Sequence, residues 1–351
     1  MSLPHFHIRI DPDRLRRLQS NVWSDRYIPA SLVGPQGRKT IRIRYRGNHT
    51  RDYPKKSYDL VMSGRTYHLN AEYDDPSLIR NALSFRFFEM IGVAAPKTLH
   101  CVLYVNGVNQ GVYLLIEAVK RSFFARRGIP IRSLVYAVND RADFSLIDPD
   151  SLKRKRSLFD GYRLIIGTDR DRRRLKSFIR NVNTLKGERF KRFIGRRLDF
   201  DQYLHWLAGA VLTGNYDGFD QNYALYEHGA SRRYRIVPWD YEGTWGRNCF
   251  GKRVESDLVR IRGYNALTKN LLSHAEYRKK YKKLLARLLD TAFTKERIMP
   301  IAHRLYNQIR EDVYRDVNRK WPISLFESEP RLIEHYLEER RRIIKSELNR
   351  L

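Results

Sequence analysis

The chain contains 351 residues, of which 42% are hydrophobic and 12% are aromatic. This composition excludes an intrinsically disordered protein and allows one two-lobed unit or two modest domains with cores of their own. The 68 Lys and Arg residues outnumber the 39 Asp and Glu residues, which gives a formal net charge of +29. Such a charge favours polyanions, whether nucleic acid, nucleotide, acidic lipid or an acidic protein surface, and does not choose among them.

The positive charge is concentrated in four clusters, at residues 153–156, 170–174, 278–283 and 340–342. For any one cluster, a solvated helix face is the simplest interpretation. The first three clusters lie outside every segment that we assign below to an active site. We therefore expect them to act in docking to acidic surfaces and not in catalysis.

Cysteine usage and the N-terminal sequence bear on the compartment. Cys101 and Cys249 are the only cysteines, so neither a disulfide framework nor a Cys-rich zinc site is predicted, and a reducing compartment is expected. The N-terminus lacks the pattern of a signal peptide, and no apolar run is long enough to span a bilayer. We expect a protein that is cytoplasmic at synthesis, with no membrane partner.

The first third of the chain is predicted to be rich in strands. Residues 38–62 read as two alternating strands around a turn at Gly47-Asn48. Residues 77–91 form an amphipathic pattern, with Ser77 as a helix cap and Gly92 at the end. A hairpin with a turn at Asn106-Gly107 follows, and its second strand runs from Gly111 to Glu117.

From about residue 118 the pattern is mostly helical. It is interrupted by a hairpin at 222–241 and ends in a long basic helix near 329–350. We therefore predict an α+β fold of two lobes in one catalytic unit. Residues 1–117 would form a small β-rich lobe and residues 118–351 a larger, mainly helical lobe. Kinase-like folds have this layout, with the nucleotide held between the lobes.

The stretch from Asn215 to Asp240 contains the residues that point most directly to chemistry. Asp217 is followed five positions later by Asn222, and Asp240 ends the next predicted strand. Protein kinases place a catalytic Asp, a metal-binding Asn and a second metal-binding Asp in this order. A helical pattern precedes the stretch, with Asp199 or Asp201 as its N-cap and Gly214 as its stop. Asp217 is thus predicted to lie on a loop between a buried helix and a hairpin.

The hairpin suggests a metal site. Its turn is centred on residue 231, midway between Asn222 and Asp240, which predicts that these two side chains face each other at the open end. Directly paired strand residues have Cα atoms roughly 4.5–5.5 Å apart. Mg²⁺ suits such a site because it takes one or two protein oxygens and fills its other positions with water and phosphate. The alternative is that Asn215, Asp217 and Asp220 are turn-forming residues around Gly218.

A kinase also needs cationic groups over the phosphates. Arg46 and Arg51 flank a turn that contains Gly47, and Lys55 and Lys56 precede the next strand, where alternation lets only one of the two lysines point into a cleft. We favour Lys56. The segment contains neither a glycine-rich kinase loop nor a P-loop, and a solvated basic hairpin explains it equally well.

Three further residues are candidates for the nucleotide site. Glu89, on the helix of the first lobe, could pair with the lysine, or be an ordinary surface charge. Glu117 occupies the position of a hinge between lobes, where backbone groups would meet adenine. Trp245, like Trp239, could stack on a base, although a core role is the more common one for such aromatics.

Five segments together resemble the CotH family of atypical kinases. They span roughly residues 40–245 in the family's order, and the last two are the most specific. The segments are Ile43-Arg-Tyr-Arg-Gly-Asn with Tyr53-Pro-Lys-Lys-Ser-Tyr, Leu78-Ile-Arg-Asn-Ala-Leu, Tyr104-Val-Asn-Gly with Gly111-Val-Tyr-Leu-Leu-Ile-Glu, Gly214-Asn-Tyr-Asp-Gly-Phe-Asp-Gln-Asn-Tyr and Pro238-Trp-Asp-Tyr-Glu.

The resemblance implies ATP-dependent phosphorylation of serine residues in spore-coat proteins, autophosphorylation, and an essential Asp pair at Asp217 and Asp240. It implies ATP with Mg²⁺ or Mn²⁺ as cofactors, coat proteins as partners, and the spore coat as the final location. Two positions depart from the usual patterns: Glu242 stands where the family often has Asp, and Asn215-Tyr216 stand where ordinary kinases have His-Arg.

Two other function classes remain open from the sequence. The chain could be a coat-assembly scaffold that binds nucleotide without turnover. It could also be a basic nucleic-acid-binding protein, which the charge alone favours and no recognition motif supports. The substrate, the oligomeric state and the preferred metal are not encoded in any motif.

Overall fold

The computed structural model describes residues 2–35 and 37–351, and within them the chain forms a mixed α+β structure. The strands are β1 (His5–Arg9), β2 (Ile28–Gly34), β3 (Gly37–Arg46), β4 (Ser57–Met62), β5 (Arg65–Asn70), β6 (Thr98–Val105), β7 (Val108–Glu117), β8 (Ile131–Ala137), β9 (Tyr162–Ile166), β10 (Tyr223–His228) and β11 (Tyr234–Pro238). The helices are α1 (Pro12–Ser20), α2 (Arg80–Met90), α3 (Arg121–Ala125), α4 (Asp169–Thr184), α5 (Gly187–Arg197), α6 (Phe200–Thr213), α7 (Ala266–Leu272), α8 (Ala275–Thr291), α9 (Lys295–Tyr314) and α10 (Ile323–Leu348). None of these helices is both long enough and apolar enough to cross a membrane.

The chain divides into two compact units, and neither is continuous in sequence. The first, here called the barrel unit, comprises Met1–Leu83, Pro96–Ala118 and Pro300–Pro330. The second unit comprises Ser84–Ala95, Val119–Met299 and Arg331–Leu351. The sequence predicted a single division at residue 117. A pattern of local periodicity cannot reveal that a segment near residue 300 packs with strands from the first third of the chain.

The barrel unit contains a closed barrel with the strand order β1-β2-β3-β4-β5-β7-β6. The β1–β6 pair that closes the barrel is parallel, and the other pairs are antiparallel. Alternate residues of each strand point inward and form the core. Fully buried members include Ile8, Ile41, Ile43, Leu60, Leu69 and Leu103. Because β1 pairs with both β2 and β6, the sheet closes on itself and does not end in an unpaired strand edge.

The predicted hairpins of this unit are present, with one difference in a connection. The turn at Asn106-Gly107 is confirmed, since Val105 pairs with Val108 and both turn residues have positive φ. Strands β3 and β4 also pair, with Arg46 opposite Ser57. Their connection is longer than the predicted turn at Gly47-Asn48, because it includes a 3₁₀ turn over His49–Asp52.

The second unit contains a four-stranded sheet with the order β11-β10-β8-β9. The 222–241 hairpin was predicted, and it forms β10 and β11. The expectation of an otherwise helical second part is wrong, because β8 and β9 extend this sheet beyond β10. Each of these strands is a short apolar run, and such a run cannot be distinguished from a buried helical segment by periodicity alone.

Helix α6 leads directly to the candidate site. The side chain of Asp199 caps it by accepting a hydrogen bond from the N–H of Gln202, so Asp199 and not Asp201 is the N-cap. Every residue from Trp206 to Thr213 is buried. Gly214 ends the helix in the left-handed conformation with a φ of 74°. The sequence prediction for this helix is confirmed at both ends.

Candidate functional site

Asp217 lies on the loop that leaves α6, as expected. It begins a single 3₁₀ turn over Asp217–Phe219 and is partly exposed. The loop is held on the inside by Phe219, which is fully buried and whose carbonyl accepts a hydrogen bond from the side chain of Asn265 (3.0 Å). A loop that is fixed on one side and exposes a carboxylate on the other suits a catalytic group.

The hairpin after this loop differs from the prediction by one residue in register. Tyr223 pairs with Pro238, and the N–H of Trp239 donates to the carbonyl of Asn222 (3.1 Å), so Asn222 lies opposite Trp239 and not opposite Asp240. The expected direct pairing of Asn222 with Asp240 is therefore wrong. The register follows the loop between His228 and Arg233, which are joined by a main-chain hydrogen bond and place the centre between residues 230 and 231.

Asn222 and Asp240 nevertheless share an uncommon feature at this end of the hairpin. Their φ angles are 57° and 56°, which is the left-handed region. Asn and Asp adopt it more readily than other non-glycine residues, but it still costs free energy. Each residue turns the chain sharply where it enters or leaves the paired strands. Strained backbone of this kind clusters at functional sites, which supports a shared role for the two side chains.

Asp220 is a candidate residue that sequence reasoning placed only among turn formers. Burial, together with the nearby carboxylates of Asp217 and Asp140, raises the pKa of its carboxyl to about 7. Its Oδ1 atom is buried without a hydrogen-bond partner among the described residues. Several carboxylates thus converge near the Asp217 loop, and oxygen donors of this kind fit a divalent cation.

The neighbouring carboxylates come from the segment after β8. Asp140 and Asp143 both raise the pKa of Asp220. The ammonium of Lys155 pairs with Asp143 (2.6 Å), and its side chain is only 2% exposed. The sequence predicted a solvated or docking surface for the whole cluster at 153–156. This prediction is wrong for Lys155, which is buried. The signal that could have identified these residues is the occurrence of two aspartates, Asp140 and Asp143, shortly after the apolar run of β8.

Cys249 also lies at the Asp217 loop. Burial, the negative charge of Asp217 and a hydrogen bond to the Asp217 side chain together raise the pKa of its thiol to about 12. The main chain of Cys249 packs against Gly243, where a Cβ atom would lie 2.6 Å from the Cys249 nitrogen. Only glycine fits at residue 243, which folds the segment after Asp240 back on itself, and the contact of Cys249 with Asp217 brings this segment to the Asp217 loop.

The two candidate arginines lie in the barrel unit and have structural partners. Arg46 forms an ion pair with Asp59 (3.3 Å) and donates to Asn70 (3.0 Å). Arg51 is buried and donates to the carbonyl oxygen of Trp23 (2.8 Å) and to Asp25 (2.7 Å). These contacts hold the connection between β3 and β4 in place. The predicted contact of either arginine with phosphate stays a prediction.

The two candidate lysines have contrasting surroundings. Lys55 is buried in the barrel unit, where its ammonium pairs with Asp316 (2.8 Å) and donates to the carbonyl of Val112 (2.7 Å). Burial lowers its pKa, and the charge of Asp316 opposes this effect. Lys55 is therefore a structural cation. The prediction that it could contact phosphate is corrected accordingly. Lys56 is partly exposed and donates to the carbonyl of Arg51 (2.6 Å), so it remains the candidate of the pair.

The remaining candidates for the nucleotide site, Glu89, Glu117 and Trp245, have different outcomes in the structure. Glu89 is partly buried in the last turn of α2, and its predicted pairing with a lysine stays a prediction. The N–H groups of Glu117 and Ala118 donate to the carbonyls of Lys97 and Thr66, which leaves neither donor available as a hinge contact. Trp245 is fully buried, so the expectation that it stacks on a base is wrong.

The environment of Trp245 gives it a packing role instead. Its ring stacks on Phe293 with centroids 5.8 Å apart, and its Nε1 donates to Ser84 (2.9 Å). Trp239 is partly exposed, and its ring is stacked with Tyr136 with centroids 6.1 Å apart. Of the two tryptophans, only Trp239 has surface left for a ligand.

In the part of the chain that the structure describes, no group of three or more His, Cys, Asp or Glu side chains has a geometry that could hold a metal ion. The predicted site needs fewer acidic ligands, because Mg²⁺ commonly binds proteins through one or two side-chain oxygens. Asn222 and Asp240 are residues of the right chemistry, and the unpaired oxygen of Asp220 is a further oxygen donor nearby in sequence. This donor set fits a hard divalent cation.

Two solved structures have limited similarity to this fold. The Helicobacter pylori proinflammatory kinase CtkA has a TM-score of 0.40 and 10% sequence identity, covering 88% of this chain and 95% of that chain. The Shewanella oneidensis toxin–antitoxin complex of HipA, HipB and operator DNA has a TM-score of 0.37 and 12% identity, covering 97% of this chain and 74% of that chain. Similarity at this level does not establish a shared fold.

Similarity in sequence is much stronger. Inner spore coat protein H of Bacillus subtilis (strain 168) is 41% identical over 355 residues, which cover 99% of this chain and 98% of that protein. Inner spore coat protein H-like protein of the same organism is 29% identical over 306 residues, 85% of this chain and 87% of that protein. The family model described as CotH kinase protein matches residues 43–344. The chain belongs to the CotH family.

Proposed function

We propose that this protein is an ATP- and Mg²⁺-dependent serine kinase that phosphorylates spore-coat proteins and itself during coat assembly. The observation that carries the proposal is the position of Asp217, Asn222 and Asp240 within one compact unit, on the loop after α6 and at the end of the hairpin, in a member of the CotH family. The names of its relatives, which are spore coat proteins, support coat proteins as substrates and the coat as the site of action.

The proposed reaction transfers the γ-phosphoryl group to a serine hydroxyl. The hydroxyl oxygen forms a bond to the γ-phosphorus, the bond to the bridging oxygen breaks, and ADP leaves with that electron pair. Asp217 orients the hydroxyl and accepts its proton. Asn222 and Asp240 would hold Mg²⁺, which neutralises charge on the phosphates. Positioning and charge stabilisation account for most of phosphoryl-transfer catalysis, so these few side chains are chemically sufficient.

Incubation of the full chain with labelled ATP and either Mg²⁺ or Mn²⁺ tests the proposal. We expect label in the protein itself and in an added serine-containing peptide, and mass spectrometry should locate phosphoserine. The Asp217→Asn variant should fail to transfer label. A protein that binds ATP tightly but never transfers phosphate would be the scaffold that the sequence left open. Binding to DNA or RNA with neither ATP binding nor transfer would identify the basic nucleic-acid binder.

A further inference from the structure

Arg340, on α10 in the second unit, has an uncommon environment. Its side chain is fully buried, at 0% exposure. The guanidinium donates four hydrogen bonds, all to main-chain carbonyls: two to Val211 (3.0 and 2.8 Å), one to Val259 (2.6 Å) and one to Ser256 (3.0 Å). Within the described residues it forms no ion pair with a carboxylate. A buried cation without an anion is costly unless partial charges of fixed dipoles compensate it.

The compensating dipole is the C-terminal end of α6. The last carbonyls of a helix have no partner within the helix and carry a partial negative charge. Here each of them is bonded. Val211 accepts from Arg340, Leu212 accepts from the hydroxyl of Tyr336 (3.0 Å), and Thr213 accepts from the N–H of Trp245 (2.8 Å). Two of these three donors come from consecutive turns of α10.

The end of α6 is also the start of the Asp217 loop. Gly214, the first residue after the helix, approaches Tyr336 so closely that a Cβ atom would lie 2.4 Å from the tyrosine oxygen. Its φ of 74° sets the direction in which the chain leaves the helix. Because Arg340 and Tyr336 hold the carbonyls just before this glycine, α10 fixes both the position of the helix end and the path of the loop.

Arg340 also reaches the other side of the loop. Its bonds to Ser256 and Val259 hold a segment that continues to Gly263 and Asn265. A Cβ atom at Gly263 would lie 2.5 Å from the ring of Phe219, and the Asn265 side chain donates to the Phe219 carbonyl (3.0 Å). One guanidinium thus ties together the helix before the Asp217 loop and the segment that packs against it.

We propose that Arg340 is a positioning residue for phosphoryl transfer, which holds the Asp217 loop in its reactive geometry without touching the substrate. This inference rests on the proposed function. Lysine cannot replace arginine here, because an ammonium has three donors around a point and cannot reproduce a planar fork that serves three carbonyls. A shift of about 1 Å in a catalytic group can lower the rate by about 100-fold, so a small displacement of the loop should be measurable.

The chain offers a matched control in Arg341. This neighbouring residue donates to the carbonyls of Leu289 and Phe293, at the end of α8, and within the described part of the chain it makes no hydrogen bond or ion pair with α6 or the Asp217 loop. Arg340→Lys and Arg341→Lys therefore remove the same kind of contact from two different helix ends. Tyr336→Phe is a milder variant, since it removes a single hydrogen bond to Leu212.

The experiment compares these variants in the full chain by steady-state kinetics and amide hydrogen exchange. Arg340→Lys should lower kcat by about 10-fold or more, leave KM for ATP within about twofold, and speed exchange at residues 214–222. Arg341→Lys should also lower the thermal midpoint, by less because Arg341 is only partly buried, with unchanged kcat and unchanged exchange in that loop. Should Arg340→Lys fold poorly, Tyr336→Phe should show the same pattern with a smaller fall in kcat.

Two results would overturn the inference. One is a fall in kcat that both arginine variants share in proportion to their loss of stability. The other is loop exchange in Arg340→Lys and Tyr336→Phe that equals wild type. If wild type transfers no phosphate at all, the proposed function fails by itself, and the exchange measurement still decides whether Arg340 holds the loop.

Discussion

The N–H of Trp239 donates a hydrogen bond to the carbonyl of Asn222 over 3.1 Å, and this is the last main-chain bond at the end of the β10–β11 hairpin opposite its turn. Asp240 is the next residue after the bond, and it turns away in the left-handed conformation. The main-chain N–H of Asn222 is held in turn by the carbonyl of Ala137 on β8 (3.3 Å). The main chain of Asn222 is therefore held by both neighbouring strands, which fixes the position from which its side chain could reach a ligand.

Replacing Asp240 by Ala should remove metal-dependent ATP binding. We expect ATP with Mg²⁺ to raise the thermal midpoint of wild type and to leave that of Asp240→Ala unchanged, because a ligand stabilises only the protein that binds it. Without ligand the midpoint of the variant should be slightly lower than that of wild type, because Ala adopts the left-handed conformation of residue 240 less readily than Asp. Asp257→Ala, which removes an exposed carboxylate, is the control and should behave as wild type. An equal ATP-dependent rise in the Asp240 variant would exclude it as a metal ligand.

Asp217 should serve the chemical step more than binding. Asp217→Asn keeps the size and a hydrogen-bonding group but cannot accept the hydroxyl proton. We expect the rate of phosphate transfer to fall by at least about 100-fold, the low end of general-base contributions, while ATP still raises the thermal midpoint. Rapid-quench measurement of single turnovers separates this step from product release. A variant of near-normal rate would make Asp217 a turn residue only.

Asp220 should make stability depend on pH. Burial and the charges of Asp217 and Asp140 raise its pKa from 3.8 to about 7 in the folded protein. The folded state then binds more protons than the unfolded state between about pH 4 and pH 7, so the stability contributed by this group falls as pH rises through that window and stays low above it. Asp220→Asn removes the cost of ionisation.

We therefore expect Asp220→Asn to be more stable than wild type at pH 8, measured by chemical denaturation without divalent cations. The gain should be at least about 1 kcal/mol, since one unit of pKa shift corresponds to about 1.4 kcal/mol and partial exposure reduces the full effect. It should be smaller at pH 5. Asp257→Asn should show no such dependence. A gain of the same size at both pH values would mean that Asp220 is not the titrating group.

Local sequence signals predicted the parts of the site that depend on neighbouring residues. Asp199 and Gly214 delimit α6 as their residue types require, and Asn106-Gly107 forms its turn. The predicted register of the β10–β11 hairpin was wrong by one residue. The prediction places the centre of the turn at residue 231, whereas the loop residues themselves place it between residues 230 and 231.

Contacts between distant segments could not be predicted from one sequence. Lys55 reads as a candidate phosphate ligand until Asp316, which lies 261 positions away, is seen to pair with it. The same holds for Arg340, which appeared in the sequence as part of a basic cluster and is fully buried in the structure. A buried charge and an exposed one look identical in a sequence unless the partner is known.

The Lys55–Asp316 pair should stabilise the barrel unit. The two side chains are 2% and 0% exposed, and Asp316 also accepts hydrogen bonds from the N–H groups of Val112 and Asn318. Asp316→Ala should cost about 3–5 kcal/mol, because it leaves a buried ammonium without its anion. Lys56→Ala, which removes one hydrogen bond to a carbonyl, should cost only about 1 kcal/mol.

Replacing both members of the pair separates charge from packing. The double variant Lys55→Met, Asp316→Leu should recover part of the stability lost in Asp316→Ala, since no charge is then left unpaired. Recovery will be incomplete because the N–H groups of Val112 and Asn318 still lose their acceptor. Urea denaturation measures all three variants. If Asp316→Ala is as stable as wild type, Lys55 has no structural role and becomes a ligand candidate again.

The exposed basic residues of α4 and α8 should act in docking and not in catalysis. Arg170 and Arg173 are exposed on α4, and Lys279 and Lys283 are exposed on α8, whereas Lys155 is buried and takes no part in such a surface. Binding through exposed charges weakens as salt rises, because the screening length falls from about 10 Å at 0.1 M to about 3 Å at 1 M. With poly-glutamate as the acidic probe, association should be far more sensitive to salt than phosphorylation of a short uncharged peptide.

Paired substitutions by Gln locate this surface. Removing the two α4 charges or the two α8 charges should weaken binding to poly-glutamate several-fold and leave the rate on the uncharged peptide unchanged. Removing the same number of charges at Arg14 and Arg17, which are exposed on α1 in the barrel unit, is the control for net charge. If the control weakens binding equally, the total charge matters and not these helices. If peptide phosphorylation falls together with binding, the clusters contribute to the active site and the separation is wrong.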